Sequence, residues 1–572
     1  MKFEIKQPMF ALESQIKGFE TVFITEDEYT VLEGLAENGF LLTDHWLLLL
    51  ERDKKREQTS YLVVPISTRV EILECYRDII TLFCKYKIKI CIGDKIVVKI
   101  FDASVLTLQG LTQLCQYGMK GNESRYRYLQ KYLANSACKA PVCSVHSTLG
   151  WRVIDGNMIF LSNEAVIPEG IDLKSQYAGL LDLNPKGSLE AWLKMIKEEV
   201  LENIPLTLSM IIGFSSIILG YLNHFMDIGC LLFALVGNSS SGKSTAAMLS
   251  ASIWGNPSFD KGLITTMNAT EQALVSFVSQ ADSHIVVLDE AATGDRNSFR
   301  RTLYQFCSGR GRMRLNTDGE LKETHSFNTV ILTTSEFPIV DDTAPNGIRA
   351  RVFQISEPLT KSADNADRIK ECVYQNYGHA GVKFANFIME QKIGSIISDY
   401  NRAVKALKKY HSDSRYLSGE LTDRVLSKLA ILLQCASYLD ECFHFNLNKK
   451  IIDYLIKLEH SVATEADIAE KALDCIAQYV ARNNGRFLTS GSTGEYCAKI
   501  EGKIESGGFE KRVTILKEVV EQILRDSGFE NPRSIYRLWQ QKKLLLSEKD
   551  RPYKRVRLTS DLPPQPCFII KI

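Results

Sequence analysis

The chemistry of this chain begins at residues 237–245. There Gly237, Asn238, Ser239, Ser240, Ser241, Gly242, Lys243, Ser244 and Thr245 fit the spacing G-x-x-x-x-G-K-[ST] without deviation. Gly at both ends of so short a loop lets successive backbone N–H groups turn inward, and the helix that follows adds its positive end, so the loop suits phosphate oxygens. Lys243 would reach the β- and γ-phosphates, and the Ser244 hydroxyl would complete a Mg²⁺ shell. Further along, HIVVLDEAATGD (284–295) carries Asp289 and Glu290 behind an apolar run. An acidic pair at the carboxyl end of a buried parallel strand is where a second Mg²⁺ anchor belongs, with Asp289 holding the metal's water shell and Glu290 polarising the attacking water. A third run, NTVILTTSE (328–336), ends in Thr333, Thr334 and Ser335. The strand beside the other two delivers a side chain that orients the water or senses the γ-phosphate, Thr334 first and Ser335 next. The plainer account is a Thr-rich strand end that satisfies its own backbone. NGIRARVFQI (346–355) then sets Arg349 and Arg351 just before an apolar strand. From there a planar guanidinium could pair with a neighbour's phosphate oxygens, Arg351 being preferred over Arg349; a surface salt bridge is the alternative for either.

Two stretches offer cations to a polyanion. SGRGRMRLNTDGELKETHSFN (308–328) alternates around Thr317-Asp318-Gly319, the pattern of a β-hairpin. Arg310, Arg312 and Arg314 fall two apart and share a face if extended, and Lys322 lies on the returning strand. A solvated edge hairpin charged against aggregation has the same pattern. Near the C-terminus, VTILKEVVEQILRDSG (513–528) reads as an amphipathic helix. NPRSIYRLWQQKKLL (531–545) reads as a second, with Asn531 as N-cap and Pro532 at the first helical position. SEKDRPYKRVRL (547–558) follows as a basic hairpin. From 531 to 557 nine Lys/Arg face two acids, in a chain of 69 Lys+Arg and 68 Asp+Glu. Helix, turn, basic helix and basic wing describe a winged helix with Arg533, Arg537, Lys542, Lys543, Lys554 and Arg555 as phosphate contacts. A winged helix that only packs against its own assembly is the competing account.

These residues need several elements to position them, and 572 residues exceed what one core supports, since single cores stop growing near about 250–300 residues. At 45% hydrophobic and 24% charged, the composition is that of an ordinary globular protein and excludes disordered or collagen-like chains. The balanced charge means that affinity for a polyanion must come from local patches. Fourteen Cys with no CxxC pair argue for reduced thiols and a cytoplasmic setting. Cys138, Cys143 and His146 are too few and too widely spaced for a structural zinc site. MKFEIKQPMF has no apolar core of a secretory signal. Residues 203–226 are uncharged and long enough to span a bilayer. Pro205, Gly213, Ser215, Ser216 and Gly220 favour a helix buried in a protein core instead, with no membrane contact. Hairpins are expected at 88–101 around Gly93-Asp94 and at 149–162 around Asp155-Gly156-Asn157, and a helix at 111–135. The boundaries are read as an N-terminal domain at 1–145, a linking β-hairpin region at 146–186, the phosphate-binding core at 187–360, a helical lid or bundle at 361–485 and the winged helix at 486–572.

Taken in order, the phosphate loop, LDE, basic hairpin, TTSE and GIRARVFQI resemble AAA+ ring ATPases of the branch with a pre-sensor hairpin, which includes MCM and superfamily 3 helicases. The match is closer to mobile-element ATPases long catalogued as a domain of unknown function, and the chain looks like their cassette-chromosome, MCM-like helicases. LGWRVIDGNMIF (149–160), IWGNP (253–257), TTMNATEQAL (265–274) and the terminal winged helix carry this resemblance, which covers residues 110–572. It implies an α/β fold, with a P-loop AAA+ core with pre-sensor β-hairpin, an α+β N-terminal domain, a helical region and a C-terminal winged helix. It further implies ATP and Mg²⁺ as cofactors, and a homo-hexamer that threads single-stranded DNA past Arg310, Arg312, Arg314 and Lys322 while hydrolysing ATP between subunits. The expected function is an ATP-dependent DNA helicase for replication of a mobile element, with duplex DNA at the winged helix. The alternative is an ATP-regulated DNA-binding initiator or switch that does not unwind processively. A small-molecule kinase is weak, because no acceptor pocket is recognisable and both basic patches would be unexplained. Two departures from the family pattern stand out: no Asn closes the third strand, and no second-sensor Arg is evident within 365–483.

Overall fold

The computed structural model describes residues 12–55, 58–259, 262–290, 296–311, 326–340, 346–414, 421–465, 468–489, 500–507, 510–527, 529, 532–548, 551–559 and 563–571. They form two compact units, one up to Leu180 and one from Leu181 onward. The whole is mixed α/β with five sheets among the described residues.

The first unit holds three of the sheets. A four-stranded antiparallel sheet runs in the order Val22–Ile24, Gln58–Thr68, Trp46–Lys55, Phe40–Leu42. A five-stranded sheet is centred on Val70–Asp78, Cys84–Ile92 and Lys95–Asp102, and a small three-stranded sheet carries Gly150–Ile154 and Asn157–Leu161. Both expected hairpins are present, with Ile92 opposite Lys95 and Ile154 opposite Asn157. The helix expected at 111–135 is broken. Thr112–Gln116 stops short, and Tyr126–Lys139 starts anew. The cause lies at Gly118, whose φ of +92° is costly for any residue with a Cβ and where a Cβ would come within 2.4 Å of Ile92 Cδ1.

The second unit is built on a parallel sheet. Its strands are β1 (Leu231–Val236), β2 (Ile264–Thr266), β3 (Val286–Asp289), β4 (Val330–Ser335) and β5 (Val352–Ile355), side by side in the order β2-β3-β4-β1-β5. β1 is buried throughout, as its unbroken apolar run requires of a strand covered on both faces. The helices of this unit used below are α1 (Ile204–Asn223), α2 (Lys243–Ser252), α3 (Glu271–Gln280), α4 (Arg296–Ser308), α5 (Ala363–Gln375), α6 (Thr422–Phe443), α7 (Lys517–Asp526) and α8 (Pro532–Gln541). Among the described helices α1 alone is long and apolar enough to cross a membrane, and 89% of its apolar window is buried inside the fold. Asn203 caps it by accepting from Leu206 N at 3.1 Å, Pro205 occupies its first turn, and every residue from Leu206 to Leu222 is buried. Core packing therefore accounts for its apolar run.

The C-terminal part has its own core, in which Val513, Ile515, Val520, Leu524, Trp539 and Phe568 meet. The helix expected from 513 begins only at Lys517. Residues Glu510–Leu516 are a strand between Gly502–Gly507 and Gln565–Lys571, because Val513 and Ile515 alternate inward with period two before the helical spacing starts. The basic hairpin expected within 547–558 does not close on itself: its strand Lys554–Val556 is an edge strand paired antiparallel with Gln565–Lys571, further along the chain.

Candidate phosphate-binding site

The loop from Gly237 to Gly242 joins the carboxyl end of β1 to the first turn of α2. Ser240 has φ +69° and Gly242 φ +86°. A Cβ on Gly242 would stand 2.7 Å from both Thr360 Cγ2 and Thr360 Oγ1, so only Gly fits there. Leu359 N donates to Ser241 O at 3.0 Å, and the segment before α5 thereby clamps the loop from outside. α2 starts without a side-chain cap, so its first-turn N–H groups and its dipole face the cavity. Lys243 Nζ donates to Gly237 O at 2.7 Å and to Asn238 O at 2.8 Å, contacts that a phosphate oxygen can replace. Ser244 is exposed, whereas Thr245 is buried.

Across the cavity, β3 ends in Asp289 and the chain turns at Glu290, whose φ of +59° is a left-handed conformation uncommon for a side-chain-bearing residue. Thr334, on the adjacent strand β4, holds this turn. Its Oγ1 donates to Asp289 Oδ1 and accepts from Glu290 N at 3.1 Å. Thr333 satisfies the backbone instead, donating to Leu288 O at 2.6 Å, and the Ser335 hydroxyl is engaged by Phe337. Lys243, Ser244, Asp289, Glu290 and Thr334 thus line one cavity of about 740 Å³ at the carboxyl ends of β1, β3 and β4.

Arg349 and Arg351 lie elsewhere. Leu232 pairs with Val352, so both arginines precede β5 at the amino end of the sheet, whereas the loop follows Val236 at the other end, about 13 Å away at strand rise. Arg349 is 3% exposed; Arg351 is half-buried and lies against Gly229. Near Arg351 is Lys428 of α6, a residue that sequence reasoning passed over. Burial, then the Arg351 guanidinium, pushes the Lys428 ammonium down to about 7.

Of the expected polynucleotide contacts, Arg310 pairs antiparallel with Ser326, which sets the two ends of segment 310–326 side by side. Arg312, Arg314 and Lys322 lie outside the described residues. On α8, Ile535, Tyr536 and Trp539 point into the core, with Trp539 Nε1 donating to Ala469 O at 2.8 Å. Arg533 and Arg537, one turn apart, are left exposed on the other face. Lys542, Lys543 and Arg555 are exposed and Lys554 half-buried, so all six cations are on described, accessible elements.

The family model of a domain of unknown function, DUF927, matches residues 40–326, half of the chain. The chain belongs to this family. A second model, the Cch helix turn helix domain, matches residues 467–572, which contain α7 and α8. A solved structure described as "SCCmec type IV Cch - active helicase" aligns with a TM-score of 0.74 at 24% identity, covering 94% of this chain and 97% of that one. At this identity the likeness concerns the fold. No curated protein matches the chain.

The donor set of this family member fits a hard divalent cation. The Ser244 hydroxyl and the Asp289 carboxylate, whose Oδ1 is taken by Thr334 and whose Oδ2 remains, are oxygen ligands of the kind Mg²⁺ prefers, with phosphate and water completing its shell. Among the described residues no group of three or more His, Cys, Asp or Glu is placed to hold a metal. His146 in particular is engaged by Ser175 Oγ at 2.8 Å and Ser162 O at 2.7 Å. Sequence reasoning also missed Thr360, Asp367 and Lys370, which line the cavity from α5 and the segment before it. No motif marks them, because they reach the loop through packing alone.

Proposed function

We propose that this chain is an ATP-dependent DNA helicase or translocase of the AAA+ class, serving replication of a mobile genetic element in the cytoplasm. The observation that carries the reading is the single cavity uniting a G-x-x-x-x-G-K-S loop with Asp289, Glu290 and Thr334 at the carboxyl end of a parallel sheet ordered β2-β3-β4-β1-β5. Residues 187–360 act as the P-loop core, 361–485 as its helical lid and 486–572 as a winged helix; 1–145 and 146–186 form the N-terminal α+β domain and its linking hairpin. Lys243 exchanges Gly237 O and Asn238 O for β- and γ-phosphate oxygens. Glu290 takes a proton from the attacking water, and Thr334 holds Asp289 and Glu290 in register while it does so. Mg²⁺, held by Ser244 and Asp289, supplies charge neutralisation of the phosphates when bound.

Arg351, remote from its own loop, acts on a neighbour's nucleotide in a homo-hexamer, with the DNA strand in the pore against Arg310, Arg312, Arg314 and Lys322. Arg533, Arg537, Lys542, Lys543, Lys554 and Arg555 hold duplex DNA by its phosphates, and the match of 467–572 to a helix-turn-helix model supports this placement. The Cch structure of like fold, described as an active helicase, supports unwinding over mere tethering.

The test is strand displacement on a forked duplex by the full chain. Displacement with ATP, none with a non-hydrolysable analogue, and an ATPase rate raised by single-stranded DNA are expected. Nucleotide-controlled DNA binding without displacement would favour the initiator or switch.

A further inference from the structure

α5 runs alongside α2 in the same direction. Leu359 N reaches Ser241 O at 3.0 Å near their starts, and Gly378 N reaches Ser252 O at 2.8 Å beyond their ends. One stripe of α5, Ala363, Ala366, Asp367 and Lys370 at i, i+3, i+4 and i+7, lines the cavity. The helix cannot roll away from it, because its other side is tied down. Arg368 makes a two-pronged pair with Glu199, at 2.6 Å from Nε and 3.0 Å from Nη2, and Asn365 Nδ2 donates to the same carboxylate at 2.7 Å. Helical side chains lean toward the amino end, so Lys370 extends back over the methyl groups of Ala366 and Ala363 toward the clamped loop. Its ammonium stands 3.8 Å from Asp367 Oδ1, a loose contact with 40% of the lysine side chain exposed. Among the described residues, the charged side chains lining the cavity are two cations, Lys243 and Lys370, against four carboxylates, Asp289, Glu290, Glu336 and Asp367. A magnesium triphosphate that enters is itself anionic, so both cations are needed to hold it.

We propose that Lys370 is a second phosphate-contacting cation of this chain, and that Asp367 competes with the nucleotide for it. This rests on the reading of the cavity as a nucleotide site. Lys243 rests on loop carbonyls and Lys370 in a loose contact with Asp367, and each contact is exchanged for phosphate oxygens on binding. Asp367 opposes the exchange twice, by holding the ammonium and by repelling the phosphates. Neutralising it therefore tightens binding, an outcome that a purely structural role for this pair does not produce.

The experiment is calorimetric titration of the full chain with a non-hydrolysable ATP analogue and Mg²⁺. Lys370→Ala should weaken binding by about tenfold or more, the loss of one charge-assisted hydrogen bond, and Lys370→Arg should recover most of it. Asp367→Asn should tighten binding by about two- to fivefold, the range of an exposed ion pair, and this gain should shrink when combined with Lys370→Ala. Lys243→Ala separates the two levels of the argument. If Lys243→Ala is crippled while Lys370→Ala and Asp367→Asn bind like the parent, the role of Lys370 is overturned and the nucleotide site stands. If Lys243→Ala also binds normally, the reading of the cavity falls and the proposal with it.

Discussion

Thr334→Val tests the geometry of the site most directly, because it changes one oxygen to a methyl group with little change of volume. Thr334 is 3% exposed, donates to Asp289 Oδ1 and accepts from Glu290 N at 3.1 Å. The valine leaves a carboxylate oxygen and a backbone N–H without this partner, and a hydrogen bond to a charged group contributes about 1.5–3 kcal/mol, a neutral one about 1. A loss of about 2–4 kcal/mol in unfolding free energy is expected by denaturant titration. The functional loss should be sharper. Glu290 sits at φ +59°, a backbone conformation that costs about 1–2 kcal/mol for a residue with a Cβ and is held in place through Thr334. Once released, Glu290 is no longer aimed at the water, and single-turnover ATP hydrolysis should fall by about a hundredfold, the scale of losing one well-placed group. Binding of the non-hydrolysable analogue should change little, because the loop 237–242 and Lys243 are untouched. Thr334→Ser keeps the hydroxyl and should retain most of the rate. A valine variant that hydrolyses at more than half the parental rate would refute the positioning role.

Five further outcomes follow from the structure. Lys243→Ala should abolish turnover, whereas Glu290→Gln should keep nucleotide binding and lose hydrolysis; loss of binding in the latter would make Glu290 structural. Mixing Arg351→Ala chains with Lys243→Ala chains should restore part of the hydrolysis, since Arg351 lies at the end of the sheet away from its own loop; complete failure with both variants assembling would point to Arg349 or to action in cis. Alanines at Lys542, Lys543, Lys554 and Arg555 should raise the DNA concentration required, flatten the log–log salt dependence by about one unit per contact, and spare the saturated rate. Lys428, pushed down to about 7, binds its proton more weakly folded than unfolded. Stability should therefore rise with pH from about 7 toward the ordinary lysine value, and Lys428→Met should remove that rise and stabilise the chain near neutrality; an unchanged pH profile would refute it. Burial pushes the thiols Cys307 and Cys230 up to about 11 and about 12, which lowers stability once the unfolded thiols ionise near pH 9, so the rise due to Lys428 is read between about pH 7 and 9.

The parts of the site that could be read from sequence are those whose chemistry forces a local pattern. A phosphate loop needs Gly at fixed places, and strands buried on both faces need unbroken apolar runs, so Gly237–Ser244, Asp289 and Thr334 stand out before any folding is considered. The helix expected at 111–135 failed for a reason that composition conceals, since Gly118 packs on a residue from another strand. The start of α7 was misplaced because Val513 and Ile515 satisfy a helical stripe and a strand alternation equally over so short a stretch. Thr360, Asp367, Lys370 and Lys428 were invisible for a deeper reason. Each acts through an element distant in sequence, and a lone lysine on a helix carries no pattern of its own.

The distribution of charge bears on why such a chain would work in a ring. Cavities that cleave phosphoanhydrides gather carboxylates for the metal and the water, and among the described residues lining this one four carboxylates outnumber two lysines. Arg351 of the same chain stands away from this cavity, because β5 runs parallel to β1 and the arginine precedes it at the far end. Arg351 lies beside Gly229 and Lys428, and its guanidinium helps to push the Lys428 ammonium down to about 7. Under the proposed reading, a lone chain binds nucleotide through Lys243 and Lys370, and a neighbour's Arg351 adds a cation for the charge that develops in the transition state. Hydrolysis should accordingly rise more steeply than linearly with protein concentration across the range where subunits associate, while nucleotide binding should not. A strictly linear dependence through that range would remove the neighbour from the chemistry.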